Sequence, residues 1–257
     1  MKRLWGFWWV VVVAFVGCTT VSETGRRQLI LLAPAEEMQL GMTSFNQMKK
    51  DLPISKDPAA NALVQRVGKR IAEVSSLTNA QWEFVVFESK EANAFCLPGG
   101  KVGVYTGILP ITKDEAGLAT VIGHEVAHAT ARHGAERVSN QMLLQAGGQV
   151  LGTTVSAADP RWQGVATSVY GLGANLGYAL PHSRGQESEA DRIGLIYMAR
   201  AGYNPEAAVS FWERFGELNR QSSGGTPWFL RTHPMDETRI ERIKEWLPEA
   251  KRDYRPR

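Results

Sequence analysis

The sequence predicts an α+β chain, mainly helical, with a small and mostly antiparallel sheet placed just before its most apolar helix. Three observations lead there. From Pro34 onward, apolar residues recur at helical spacing, and several of these runs open on a recognisable cap. Three short extended runs lie between Trp82 and Leu109, rich in aromatic and β-branched residues and broken by Pro98-Gly99-Gly100. The stretch from Thr112 to Gly134 is apolar almost all round, the mark of a buried helix, yet it carries His124-Glu125-Val126-Ala127-His128 at its centre.

The chain begins with a targeting pattern. Lys2 and Arg3 precede an apolar run, Leu4 to Gly17, that is short for a membrane span and ends at Cys18. Phe15-Val16-Gly17-Cys18 resembles a bacterial lipobox, with Phe15 where leucine is more usual. In such signals the cysteine is lipidated on sulfur and becomes the mature N-terminus. The alternatives are a signal cut nearby without lipidation, or an uncleaved anchor. Thr19, in place of an aspartate, resembles sorting to the outer membrane of a Gram-negative cell. The expected organisation is a signal over 1–17, a lipidated leader over 18–33, one domain over 34–250 and a tail over 251–257. A lipidated Cys18 leaves only Cys96, read as a small buried hydrophobe, so no disulfide framework is expected. Of 29 basic and 26 acidic residues, the signal takes Lys2 and Arg3, leaving 27 against 26. With no basic stripe, nucleic acid is excluded as a partner.

Gln28 to Leu32 reads as an edge strand or docking segment. A helix follows from Pro34 through Lys50. Asp57 caps a second helix with Pro58 at its first position, and Leu63, Val67, Ile71 and Val74 share one face, so this helix is structural. In the sheet, Asn93-Ala94-Phe95 offers two readings: an ordinary hairpin packing the core, or a free edge that pairs with an extended substrate backbone. For the apolar helix, Thr112 and Glu115 form a capping box and Gly134 ends it. From Ala135 to Ala179 two helices are expected, over the cleft or against lipid, and Gln141, Gln145 and Gln149 argue against a membrane span. Helices also fit Ser183 to Gly202 and Met235 to Trp246.

The chemistry follows from spacing. Two imidazoles four residues apart on a helix project from one face and can hold a single metal ion, with Glu125 placed to deprotonate a water beside it. The bland alternative is a pair of hydrogen-bonded core histidines. A catalytic zinc takes three protein ligands and keeps one position open. A third histidine in the metzincin position fails, because Ala131 and Gly134 stand where glycine and histidine are required. His133 points off the metal face, and Glu136 and Asp159 lie in unsuitable places. On the Ser183 helix, Glu187 and Asp191 are four apart and share a face, while Glu189 points elsewhere. Glu187 is then the third ligand, and Asp191 accepts the free N–H of a ligand histidine. The alternative is a solvated acidic helix start. His182 reads as a hydrogen-bonded surface residue.

Asn93-Ala94-Phe95 with Pro98-Gly99-Gly100, then His124-Glu125-x-x-His128, then Glu187-x-Glu189-Ala190-Asp191 resemble the HtpX and CAAX-prenyl-endopeptidase metallopeptidases. The nearer likeness is to their periplasmic BepA and LoiP lipoprotein-type branch. The resemblance covers most of the mature chain. It implies a gluzincin-type endopeptidase domain holding one zinc per chain, with His124, His128 and Glu187 as ligands and Glu125 as general base. It also implies an extended substrate along Asn93-Ala94-Phe95. Thr232-His233-Pro234 matches the same branch, which implies that His233 occupies the fourth metal position or faces the reacting carbonyl. The branch acts in envelope quality control, on unfolded or misfolded envelope proteins. Two rivals remain: a lipoprotein that binds such chains like a chaperone and seldom cleaves, and a zinc hydrolase of cell-wall amides.

Overall fold

A computed structural model of the chain describes residues 17–144, 182–221, 228–233 and 238–256. The signal before Gly17 and most of the expected helical pair over Ala135 to Ala179 lie outside them. The chain divides into two compact units, Met1–Ala33 with His133–Leu180, and Pro34–Arg132 with Pro181–Arg257.

In the first unit, strands β1 (Cys18–Thr20) and β2 (Arg27–Leu29) pair antiparallel, with Cys18 opposite Leu29. Residues 133–144 are helical and hold this hairpin. The Leu31 N–H donates to Ser139 Oγ at 2.8 Å, and Arg26 grips Glu136 through both terminal nitrogens at 2.7 and 2.9 Å. Residues of the expected leader are thus held by a later part of the chain. Cys18 is exposed.

The second unit starts with helices α1 (Pro34–Asp51) and α2 (Pro58–Val74). Asp57 caps α2 as its sequence predicts, accepting from the Ala59 and Ala60 N–H groups at 2.8 and 3.3 Å. Val64, Val67 and Ile71 are fully buried, while Leu63 and Val74 sit at the rim. Strands β3 (Glu83–Phe87), β4 (Ala94–Leu97) and β5 (Lys101–Tyr105) form a sheet in the order β3-β5-β4. β4 and β5 pair antiparallel, whereas β3 and β5 pair parallel, so this sheet is mixed. β5 is buried along its length, and Phe87, Phe95 and Tyr105 meet Phe45 of α1 in an aromatic core.

A single helix from Thr112 to Gly134 does not form. Pro110 opens a short helix α3 (Leu109–Thr112) first, so Thr112 becomes its last residue and bonds back to Leu109 O. Lys113 then takes a positive φ of 67°, and Asp114 caps helix α4 (Glu115–Thr130) through the Gly117 N–H at 2.8 Å. α4 ends at Thr130, before Gly134, with Ala131 as its cap and Arg132 following at a φ of 56°. Arg132 is held there by its ion pair with the buried Glu37 of α1, and a new helical stretch begins at 133.

Helix α5 (Arg184–Arg200) begins with a complete capping box between Ser183 and Gln186. It crosses α4 at a contact of two glycines. A Cβ on Gly123 would lie 3.2 Å from Gly194 O, and one on Gly194 would lie 3.0 Å from His124 N. Only glycine lets the two backbones come this close, and the crossing lies beside His124. Helices α6 (Ala207–Gln221), α7 (Trp228–Thr232) and α8 (Arg239–Lys251) follow. Phe211, Trp212 and Phe215 of α6 pack with Phe229 of α7. α8 runs past the expected end at Trp246 and carries Pro248 within it. Among the described residues, no helix is long and apolar enough to cross a membrane.

Candidate metal centre

Every residue of α4 from Gly117 to His128 is buried, so its periodicity alone points His124 and His128 into the interior on one face. Across the glycine crossing, α5 presents Glu187. From the end of α7 comes His233, whose N–H bonds back to Phe229 O at 2.7 Å and whose ring stacks on Phe229 at 4.4 Å. All four side chains are buried, and their ligating atoms lie within 4.8 Å of one another.

The spacing within this cluster is informative. His124 Nε2 lies 3.0 Å from His128 Nε2, 3.2 Å from His233 Nδ1 and 3.4 Å from Glu187 Oε2. Glu187 Oε1 lies 3.2 Å from His128 Nε2 and 3.0 Å from His233 Nδ1. Donors at about 2.0–2.1 Å around a tetrahedral zinc are separated by roughly 3.3–3.4 Å. Three imidazole nitrogens and a carboxylate at this spacing fit one zinc ion. Glu187 is 2% exposed, so it is no solvated helix start.

Around the donors lie two further carboxylates. Asp191 Oδ1 is 2.9 Å from His124 Nδ1, the ring nitrogen turned away from the cluster. Glu125 Oε1 is 3.4 Å from His233 Nε2. Burial alone would lower the His124 imidazole, but Glu187 and Asp191 outweigh it and push it up to about 9. Burial and the neighbouring His182 charge hold His128 well below its ordinary range, against the pull of Glu187. Burial would raise Glu187, yet His233, Arg239 and His124 hold it well below the usual carboxylate range. A neutral His128 and an ionised Glu187 are the forms that ligate a cation, and both shifts run in that direction. Glu125 is raised by burial, only partly offset by His233 and His124, which suits a group that both takes and returns a proton.

His182 is not a surface histidine. It is buried, its ring stacks on His128 at 3.9 Å, and its N–H donates to Thr232 O at 3.1 Å. Its place beside Ser183, the cap of the Glu187 helix, was the available signal. Arg239 and Trp212 also belong to this centre, and no sequence motif marked them.

The three residues expected along the substrate have different placements. The Tyr105 N–H donates to Asn93 O at 2.9 Å, so Asn93 is in a hydrogen-bonded pair. Alternation then turns the Phe95 and Leu97 backbone toward β5, leaving Ala94 and Cys96 to present their N–H and C=O at the outer edge. The Phe95 side chain belongs to the aromatic core, 6.1 Å from Phe87. β4 packs against α4, and the Cys96 thiol is raised by burial and by the charge of Glu125.

A buried HExxH helix, a glutamate donor from a second helix and a small sheet at their side define a gluzincin-type metallopeptidase domain. The family comparison leads to the same class: the model for peptidase family M48 matches residues 58–247, and the chain belongs to that family. It is 43% identical over 187 residues to the mitochondrial metalloendopeptidase OMA1 of Schizosaccharomyces pombe, covering 73% of this chain and 53% of that protein. The same enzyme of Saccharomyces cerevisiae is 38% identical over 185 residues, 70% of this chain and 51% of its own. The beta-barrel assembly-enhancing protease of Escherichia coli is 28% identical over 225 residues, 86% of this chain and 46% of its own. The chain spans about half the length of these relatives.

Proposed function

We propose that this chain is a zinc-dependent endopeptidase of the bacterial cell envelope, tethered by lipid on Cys18 and acting on extended or misfolded envelope proteins. The observation that carries the catalytic part is the buried cluster of His124, His128, Glu187 and His233 at tetrahedral spacing, with Glu125 beside it. The envelope location is supported by the basic, apolar and cysteine-terminated start of the chain, and by an exposed Cys18. A bacterial source is supported by the similarity to the beta-barrel assembly-enhancing protease of Escherichia coli. The mitochondrial relatives share the protease class and carry a different address in their names.

His124, His128 and Glu187 would hold the zinc, and Asp191 fixes the His124 ring by accepting from its Nδ1–H. A bound zinc supplies Lewis acidity, which activates water near neutral pH and polarises a peptide carbonyl. The substrate lies extended against β4, its backbone paired with the outward groups of Ala94 and Cys96, which gives binding with little dependence on sequence. Glu125 takes the proton of the attacking water and returns it to the leaving amine. His233 lies among these donors, where it would either take the fourth position of a bound zinc and keep the site latent, or face the reacting carbonyl.

Glu125→Gln tests the assignment. The variant is expected to bind zinc like the wild type and to lose casein hydrolysis by at least about a thousandfold, since the base and proton shuttle are gone. Wild-type hydrolysis in the purified variant, or hydrolysis that a chelator leaves untouched, would overturn it.

A further inference from the structure

We propose that Arg239 is a positioning residue of the metal centre: it clamps Asp191 against His124 and holds the Glu187 carboxylate in one orientation toward the metal position. The inference rests on the zinc reading above. Arg239 opens helix α8, six residues after His233, and its side chain is 1% exposed. The guanidinium lies flat on Trp212, 3.5 Å from the ring centroid, which fixes its plane. Within that plane its nitrogens have separate targets. Nε donates to Asp191 Oδ2 and Nη2 to Asp191 Oδ1, both at 2.8 Å, a bidentate fork. Nη1 lies 3.0 Å from Glu187 Oε2 and 3.5 Å from the His233 carbonyl oxygen.

Each contact has a consequence for the donors. The fork leaves Asp191 one orientation, with Oδ1 2.9 Å from His124 Nδ1. That fixes both the tautomer and the tilt of a ligand ring. The Glu187 contact holds Oε2 between the guanidinium and His124 Nε2, at 3.0 and 3.4 Å, while Oε1 faces His128 and His233, so the carboxylate has one orientation toward the donors.

A cation near a metal also repels it, so removing Arg239 outright would mix lost geometry with gained attraction. Arg239→Lys keeps the charge and loses the fork, and therefore isolates geometry. In the mature protein, zinc affinity measured by competition with a chromophoric chelator is expected to fall about ten- to a hundredfold. The visible absorption of the cobalt-loaded variant is expected to differ from wild type in band position and intensity, because Glu187 and Asp191 are no longer held in one orientation. Unchanged zinc affinity together with an unchanged cobalt spectrum in folded Arg239→Lys would overturn the inference. If the lysine variant is insoluble, Asp191→Glu breaks the same fork at constant charge and is expected to show the same two changes, with wild-type behaviour again overturning it. Failure of both variants to fold in excess zinc would assign Arg239 to the fold instead, also overturning it. A wild-type protein that binds no zinc would sink the zinc reading, whereas zinc-binding wild type with unaffected variants sinks only this inference.

Discussion

Helices α4 and α8 serve the same cluster by opposite physical routes. α4 is buried on every side from Gly117 to His128, so its two imidazoles reach the metal position through the helix's own rise and twist. α8 is a surface helix whose buried residues are Arg239, Ile243 and Ala250, and Arg239 alone reaches the cluster. On α4, the residues that hold the fold and those that hold the metal lie on the same few turns. On α8, one long side chain carries the whole contribution. A change on α4 therefore threatens folding and chemistry together, while changes near α8 can adjust the site and leave the fold standing.

The largest effect should come from the α4–α5 crossing. Gly194→Val places methyl groups against the His124 backbone, where even a Cβ would lie 3.0 Å from N. A loss of about 3 kcal/mol or more is expected, read by denaturant unfolding, with zinc binding lost in parallel. Gly185→Ala, where the nearest neighbour would be Ser183 Oγ at 3.8 Å, is the control and should unfold like wild type. A folded, zinc-binding Gly194→Val would show that the two helices need not touch.

At the other end of the comparison, His233→Ala should leave the fold intact. If His233 keeps the site latent in about nine molecules of ten, casein hydrolysis rises about tenfold, with zinc still bound. A fall in rate with zinc retained would instead assign His233 to the reacting carbonyl.

The smallest effect belongs to a pair outside both helices. Glu83 of β3 accepts a hydrogen bond from Lys49 of α1, which holds its carboxyl below the ordinary value, with Lys101 also 3.5 Å away. A carboxyl lowered in the folded state contributes stability above its unfolded pKa and loses it as pH falls through the folded value. Lys49→Met should flatten that acid limb of the melting temperature by the equivalent of 1 kcal/mol at most, since the pair is partly exposed. Equal pH profiles would remove the pair from the stability account.

Local rules made one part of this molecule readable and hid the other. Asp57 with Pro58 signals a helix start, and that start appears in the structure. His124, His128, Glu187 and Asp191 were legible because each pair is separated by one helical turn. Thr112 misled because Pro110 starts a helix one turn earlier and passes the capping role to Asp114. The parallel pairing of β3 with β5 skips over β4, and no local pattern encodes it. Arg239, Trp212 and His182 reach the centre through tertiary packing, and an arginine early in an amphipathic helix looks like any solvated one. His233 was legible only through resemblance to a family, since Thr-His-Pro alone describes a loop.

The central claim is that the four buried side chains form one zinc site. Metal content by mass spectrometry on the purified mature protein tests it most directly, with Glu187→Ala measured beside wild type. One zinc per chain in wild type is expected, stripped by chelator and restored by zinc alone, with an affinity at least tenfold weaker in Glu187→Ala because a ligand is missing. A wild-type chain that retains no zinc after reconstitution, or a Glu187→Ala protein that holds zinc as tightly as wild type, would contradict it.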